Sequence, residues 1–167
     1  MSRIDKINLY NVPPRWLFLK ITTTEGIEGW GEPIVEGKAD TVEAAVREFS
    51  SGLIGKEAGN IEDIYQTLYR GCFYRGGPIL MSAISGIEQA LWDIKGKVLG
   101  VPVYELLGGA VRDKMKVYSW VGGDEPSELI ESIKQRQKAG FRHVKMNGAG
   151  KVAWLETPGQ IESLVRQ

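Results

Sequence analysis

The sequence predicts two architectures in series. An α+β unit, a three-stranded antiparallel meander followed by helices, is expected over residues 1–113, and the opening of a parallel β/α unit over residues 114–167. Three observations carry that division. Residues 4–32 place their apolar positions in short runs broken by Pro13-Pro14 and Glu25-Gly26, as in strands joined by turns. Residues 80–98 instead repeat apolar side chains at steps of three and four, which is the helical period. Past Lys114 the order becomes strand, helix, strand with short loops, and that order implies a parallel pair.

The first strand takes Ile4, Ile7, Leu9 and Tyr10 as its apolar members. Pro13-Pro14 ends it, because proline has no N–H to give to a ladder. The second, Trp16 to Thr24, is rich in β-branched and aromatic residues, which suit a pleated, half-buried surface. After the Glu25-Gly26 turn, Ile27 to Glu32 make a short third strand. Asp40 and Glu43 have the spacing of a capping box, predicting a helix start there, with Val42, Ala45, Val46 and Phe49 on one face. Asn60 is the expected cap of a second helix, whose apolar stripe is Ile61, Ile64, Tyr65 and Leu68. The strongest helical signal is Leu80, Ile84, Ile87, Leu91, Ile94 and Val98, stopped by Gly100 and Pro102. Cys72 reads as a small packing residue.

In the second unit, Met115 to Val121 is the first expected strand and Gly122-Gly123 its loop. Pro126 suits the first turn of a helix with Leu129, Ile130 and Ile133 on its apolar side, ended by Gly140. Asp124 and Glu125 fit as helix N-terminal charges favoured by the dipole. Phe141 to Asn147 is the next strand. Thr157, Pro158 and Gln160 then open another helix, with Ile161, Leu164 and Val165 at helical spacing up to Gln167 and no C-cap signal. Two parallel strands need neighbours and cover on both faces, so this reading expects the architecture to need more chain.

Composition narrows the function classes. Lys+Arg and Asp+Glu both number 21, a formal net charge of +0, which argues against nucleic acid or an anionic membrane surface as partner. Cys72 is the one cysteine, so no intrachain disulfide can form, and a reducing compartment is expected. No apolar run approaches the ~18 residues of a membrane span, and no secretory signal is visible. The expected location is cytoplasmic.

Several longer motifs carry a family resemblance. Val12-Pro13-Pro14-Arg15-Trp16-Leu17, Gly29-Trp30-Gly31-Glu32-Pro33, Phe73-Tyr74-Arg75-Gly76-Gly77-Pro78 and Ala90-Leu91-Trp92-Asp93-Ile94-Lys95-Gly96-Lys97 are four of them. Leu106-Leu107-Gly108-Gly109, Tyr118-Ser119-Trp120-Val121-Gly122-Gly123 and Val144-Lys145-Met146-Asn147 are three more. Together they resemble the galactonate dehydratase group of the enolase superfamily, which is mandelate racemase/muconate lactonizing enzyme-like, from near residue 3 to near residue 147. The resemblance implies a capping domain over 1–113 and, over 114–167, the first two β/α units of an incomplete (β/α) TIM-type barrel.

The implied reaction is the dehydration of a sugar acid, D-galactonate to 2-keto-3-deoxygalactonate, by a hydro-lyase. The proton beside a carboxylate is very weakly acidic, so the superfamily uses Mg²⁺ to stabilise the enediolate and a Lys or His as base. A further acid protonates the departing hydroxyl. Such groups sit at the C-terminal ends of several barrel strands. The family's metal ligands follow its third to fifth strands and its catalytic histidines lie later. Hence no catalytic residue and no metal ligand is carried over onto this chain, which is expected to be inactive alone. Two alternatives stay open: a non-catalytic module that docks on a full-length homologue, and one half of a split enzyme. A homo-oligomer or a complementing barrel fragment is the expected macromolecular partner.

The resemblance leaves five substrate-binding candidates: Arg15, Tyr74, Arg75, Lys145 and Asn147. Arg15 with Trp16, and Tyr74 with Arg75, fall in two capping-domain segments that reach a barrel mouth in the family. Packing through aromatic and guanidinium stacking is the bland alternative. Lys145 and Asn147 are two apart and face the same way on a strand. Asn147 stands where many relatives carry a lysine base, so it implies positioning, and Lys145 implies a contact with the substrate carboxylate or an ion pair in the barrel interior. His143, the only histidine, lies ~13 Å further along that face and reads as packed or solvated.

Overall fold

Alternation of apolar and polar side chains is realised in β1 (Ile4–Val12), β2 (Trp16–Thr23) and β3 (Glu28–Gly31), which pair antiparallel in the order β1-β2-β3. This is a computed structural model; it describes residues 2–123 and 126–146. Contacts divide the chain into Met1–Ala110 and Val111–Gln167, and each unit is taken by itself. In the first, Leu19 lies opposite Leu9 and Gly31, and Lys20 opposite Asn8 and Trp30. One face of β2 therefore presents Leu17, Leu19, Ile21 and Thr23, all buried, and the other Trp16, Phe18, Lys20 and Thr22.

Helices α1 (Ala39–Ser50), α2 (Ile61–Arg70) and α3 (Gly77–Leu99) cover the inner face, and a short α4 (Val103–Leu106) follows. Val42, Ala45 and Val46 of α1, Ile61 and Ile64 of α2, and Ile87, Leu91 and Ile94 of α3 join the strand residues in one apolar core. Gly100, at φ 70, ends α3 in the left-handed conformation, with its N–H directed to the last turn.

Three local expectations are corrected. Asp40 and Glu43 make no capping box: Lys38 is the N-cap and no side chain caps the helix. Asp40 instead accepts from Asn11 Nδ2 at 2.9 Å, and Glu43 pairs with Arg47 one turn on. Asn60 does occupy the N-cap of α2, but its side chain makes no capping bond. Val98 is exposed rather than part of the buried stripe, because the last turn of α3 runs past Glu28, where β3 begins.

The α3–β3 contact explains two of the family-like motifs. A Cβ on Gly29 would lie 2.1 Å from the Ala90 carbonyl oxygen, and one on Gly31 1.9 Å from that of Gly86. Only glycine permits this approach. At that separation α3 side chains reach the free edge of β3. Lys97 Nζ donates to the Glu28 carbonyl at 2.7 Å, and the Trp30 N–H donates to Asp93 Oδ2 at 2.9 Å. Beyond the strand, the Glu32 N–H donates to Gln89 Oε1 at 2.9 Å. Every second residue of a strand advances ~6.6 Å and four residues of a helix ~6.0 Å. One stripe of α3 can therefore serve as a substitute strand, and the polar edge of β3 is satisfied without a fourth strand.

In the second unit, β4 (Ser119–Trp120), α5 (Pro126–Lys138) and β5 (Val144–Lys145) form a β/α/β arrangement whose two strands are parallel. The Ser119 N–H donates to the His143 carbonyl at 3.1 Å and the Val121 N–H to that of Lys145 at 2.9 Å. Gly140, at φ 94, follows the helix. Both strands are shorter than the spans 115–121 and 141–147 expected from side-chain type: among the described residues the ladder pairs Ser119 with Val144 and Trp120 with Lys145 and goes no further. Leu129 is buried and Ile130 exposed. Asp124, Glu125, Asn147 and the helix expected from Thr157 lie outside the described residues.

Candidate functional site

Arg15 lies in the turn between β1 and β2, just past the Pro13-Pro14 pair that stops the first strand. Its guanidinium pairs with the Glu36 carboxylate and lies 4.8 Å over the Trp16 ring. Trp16 in turn stacks on Phe18, with centroids 6.3 Å apart and planes at 7°. Both members of the ion pair are more than half exposed. Such a pair contributes ~0–1 kcal/mol and an exposed cation–π contact ~0.5–1 kcal/mol. Arg15 is thus oriented by contacts that an incoming carboxylate can replace.

Tyr74 and Arg75 lie in the bend between α2 and α3. Tyr74 is 79% exposed and meets Phe73, itself 88% exposed, edge-on at 5.4 Å. Arg75 Nε donates to the Cys72 carbonyl at 3.1 Å, which folds the bend on itself. Cys72 is exposed, so it is not the packing residue expected: it sits beyond the last turn of α2, off the buried stripe. Two large aromatics thus lie open to solvent next to the Arg75 guanidinium.

Both segments hang from the same end of α3. Tyr74 and Arg75 immediately precede Gly76-Gly77, where that helix begins. Ser82, early in α3, donates to the Ile34 carbonyl at 3.2 Å, two residues before Glu36. No hydrogen bond, ion pair or ring contact joins Arg15 directly to Tyr74 or Arg75 among the described residues. Glu36 and Phe73 were not legible as site residues, since neither lies in a periodic segment and neither pairing follows from spacing.

In the second unit, Lys145 Nζ lies 5.6 Å over the ring of Trp120, its register partner across the parallel pair. His143 is exposed and serves the fold through its carbonyl. Asn147 lies outside the described residues.

Charge on the outer face of the sheet was also unread in the sequence. Lys20 Nζ bonds Glu28 Oε1 at 2.7 Å and lies 5.7 Å over Trp30, which meets Tyr10 at 5.6 Å. The hydrogen bond that Lys20 donates to Glu28 is the foremost cause that raises the Lys20 pKa above its ordinary 10.5. At the other end of the meander the Ser2 hydroxyl donates to Glu25 and is the foremost cause that lowers that carboxyl below its ordinary 4.5.

Among the described residues, no three His, Cys, Asp or Glu side chains converge as a metal site. The carboxylates near Arg15 and Lys20 are committed to cations, so the described donor set does not fit Mg²⁺.

The family description "Mandelate racemase / muconate lactonizing enzyme, N-terminal domain" matches residues 13–108, more than half of the chain. The chain belongs to that family. The D-galactonate dehydratase of Pectobacterium atrosepticum is 61% identical over 163 residues, and that of Ralstonia pickettii 59%. Each comparison covers 98% of this chain and 43% of the relative, so the chain spans less than half the length of the curated relatives it matches. A crystal structure of an enolase from Pantoea ananatis with bound D-gluconate and Mg is 34% identical, with a TM-score of 0.80 over 88% of this chain and 37% of that one. A Mesorhizobium loti structure reaches a TM-score of 0.89 at 33% identity, over 98% of this chain and 48% of its own. No helix among the described residues is long and apolar enough to cross a membrane.

Proposed function

We propose that this chain supplies the capping domain and the first barrel strands of a galactonate-type sugar-acid dehydratase. The observation that carries the reading is 56–61% identity to D-galactonate dehydratases over 163 residues. Arg15, Tyr74 and Arg75 are the proposed substrate-binding residues of the first unit, and Lys145 and Asn147 those of the second. Arg15 is suited to a sugar-acid carboxylate because its present carboxylate partner, Glu36, is exposed and exchangeable. Tyr74 and Arg75 offer a ring face and donors suited to hydroxyl groups. Closing such segments over a substrate excludes water and strengthens the electrostatics beneath.

The reaction would be a hydro-lyase step in sugar-acid catabolism. Mg²⁺ is its proposed cofactor, held by residues other than those described here, and the proposed location is cytoplasmic. The chain by itself is inactive in this reading, and its macromolecular partner is a homo-oligomer mate or a complementing barrel fragment. The test is D-galactonate dehydration by the purified 167-residue chain with Mg²⁺, followed as 2-keto-3-deoxy acid. No turnover is expected. Turnover that survives rigorous removal of host enzyme would contradict the proposal that the chemistry lies elsewhere.

A further inference from the structure

Resting on the reading that Arg15, Tyr74 and Arg75 contact substrate, we propose that Ser82 and Gln89 are positioning residues. Through helix α3 they fix the Arg15–Glu36 pair relative to the Tyr74-Arg75 bend. Three consecutive residues after β3 are pinned to one stripe of α3. The Glu32 N–H donates to Gln89 Oε1 at 2.9 Å. Pro33 rests on Gly86 so closely that a Cβ there would lie 2.4 Å from Pro33 Cβ. The Ile34 carbonyl accepts from the Ser82 hydroxyl at 3.2 Å. Past the end of β3 this segment has no ladder, and its backbone groups need partners; these two side chains supply them.

The pinned segment leads directly to Glu36. Only Val35 lies between it and Ile34, at most ~7 Å of chain, and the Lys38 N–H closes onto the Val35 carbonyl at 2.9 Å, restricting that stretch further. Glu36 then holds Arg15 over Trp16. On the other side, Tyr74 and Arg75 enter α3 through Gly76 and Gly77, both at φ 78. Ser82 is five residues from Gly77, ~7.5 Å along the axis. Segments sixty residues apart in sequence, at Arg15 and Arg75, are therefore referred to one 23-residue helix. The spacing between the two candidate ligand contacts is set by hydrogen bonds rather than by a direct contact.

The test uses side-chain amide and arginine NMR on the 167-residue chain, with Glu36→Gln defining the unpaired position of the Arg15 Nε–Hε resonance. Ser82→Ala and Gln89→Ala, singly and together, are expected to move that resonance at least halfway to the Glu36→Gln position. Their thermal midpoints should fall by no more than ~5 °C. Ser82→Thr keeps the hydroxyl and Gln89→Glu keeps the acceptor oxygen, so both should hold it at the wild-type position. An unmoved resonance in the single alanine variants, despite faster exchange of the Glu32 amide, would overturn the proposal, as would failure of both conservative variants to preserve it. Separately, D-galactonate dehydration by a chimera in which this chain replaces the matching segment of the Pectobacterium atrosepticum D-galactonate dehydratase, with a KM unmoved by Arg15→Ala, would remove the role of Arg15 in substrate binding and leave the positioning result as the variants give it.

Discussion

In Met1–Ala110, Leu17, Leu19, Ile21, Val46, Ile87 and Leu91 are wholly buried, and the free edge of β3 is closed by Lys97 and Asp93. In Val111–Gln167 the described residues bury only Val121 and Leu129 among their apolar side chains, and Met115, Val117 and Tyr118 are more than half exposed. The same sequence devices operate in both: periodic apolar residues, glycines at positive φ, a proline at a helix start. What differs is how much of each sheet the described residues cover. A meander packed under three helices completes a core within its own span, whereas a parallel pair leaves faces that further strands and helices would have to cover. The candidate contacts of the first unit therefore rest on a finished scaffold, and those of the second on two short strands.

The largest effect that would break this comparison is steric. Gly31→Ala puts a Cβ against the Gly86 carbonyl, where neither backbone can yield cheaply, and a loss of more than ~4 kcal/mol is expected. Urea denaturation followed by far-UV circular dichroism would check it; a loss under ~1 kcal/mol would mean α3 and β3 slide freely. Next, Leu91→Ala at a wholly buried site should cost ~2–5 kcal/mol. Leu129→Ala should leave the protection of the β2 amides unchanged, which hydrogen exchange reads directly. Smaller still, Glu36→Gln and Arg15→Ala remove an exposed pair and should each change stability by less than ~1 kcal/mol, measured as thermal midpoints.

The smallest effect concerns pH. Glu25 is lowered foremost by the Ser2 hydroxyl, so its contribution is fully present above its ordinary 4.5 and is lost as pH falls through the lower folded value. Ser2→Ala should return its carboxyl resonance toward ordinary titration. Lys20, raised foremost by Glu28, has the opposite sense: its contribution is present below 10.5 and is lost as pH rises through the higher folded value.

Much of the first unit was legible because its elements announce themselves locally. The run from Leu80 to Ile94 has one period throughout, and Pro13-Pro14 and Gly100 stop elements where the structure does. Caps were less legible: Asp40 found Asn11 across the fold and Glu43 found Arg47, and spacing alone does not rank competing partners. The role of Gly29 and Gly31 was also hidden, since a close approach belongs to two elements at once. At the candidate site, family-like motifs pointed to Arg15, Tyr74 and Arg75, but the pairing of Arg15 with Glu36 required tertiary structure. Strand length in the second unit was overestimated because residue type reports β preference and says nothing about available partners.

The most direct measurement replaces the matching segment of the Pectobacterium atrosepticum D-galactonate dehydratase, 61% identical over 163 residues, with this chain and assays D-galactonate dehydration. The account predicts turnover by the chimera, with Arg15→Ala raising KM by about an order of magnitude through loss of ~1.4 kcal/mol of carboxylate binding and kcat largely kept. A folded chimera with no turnover, or one whose KM ignores Arg15→Ala, Tyr74→Ala and Arg75→Ala alike, would contradict it.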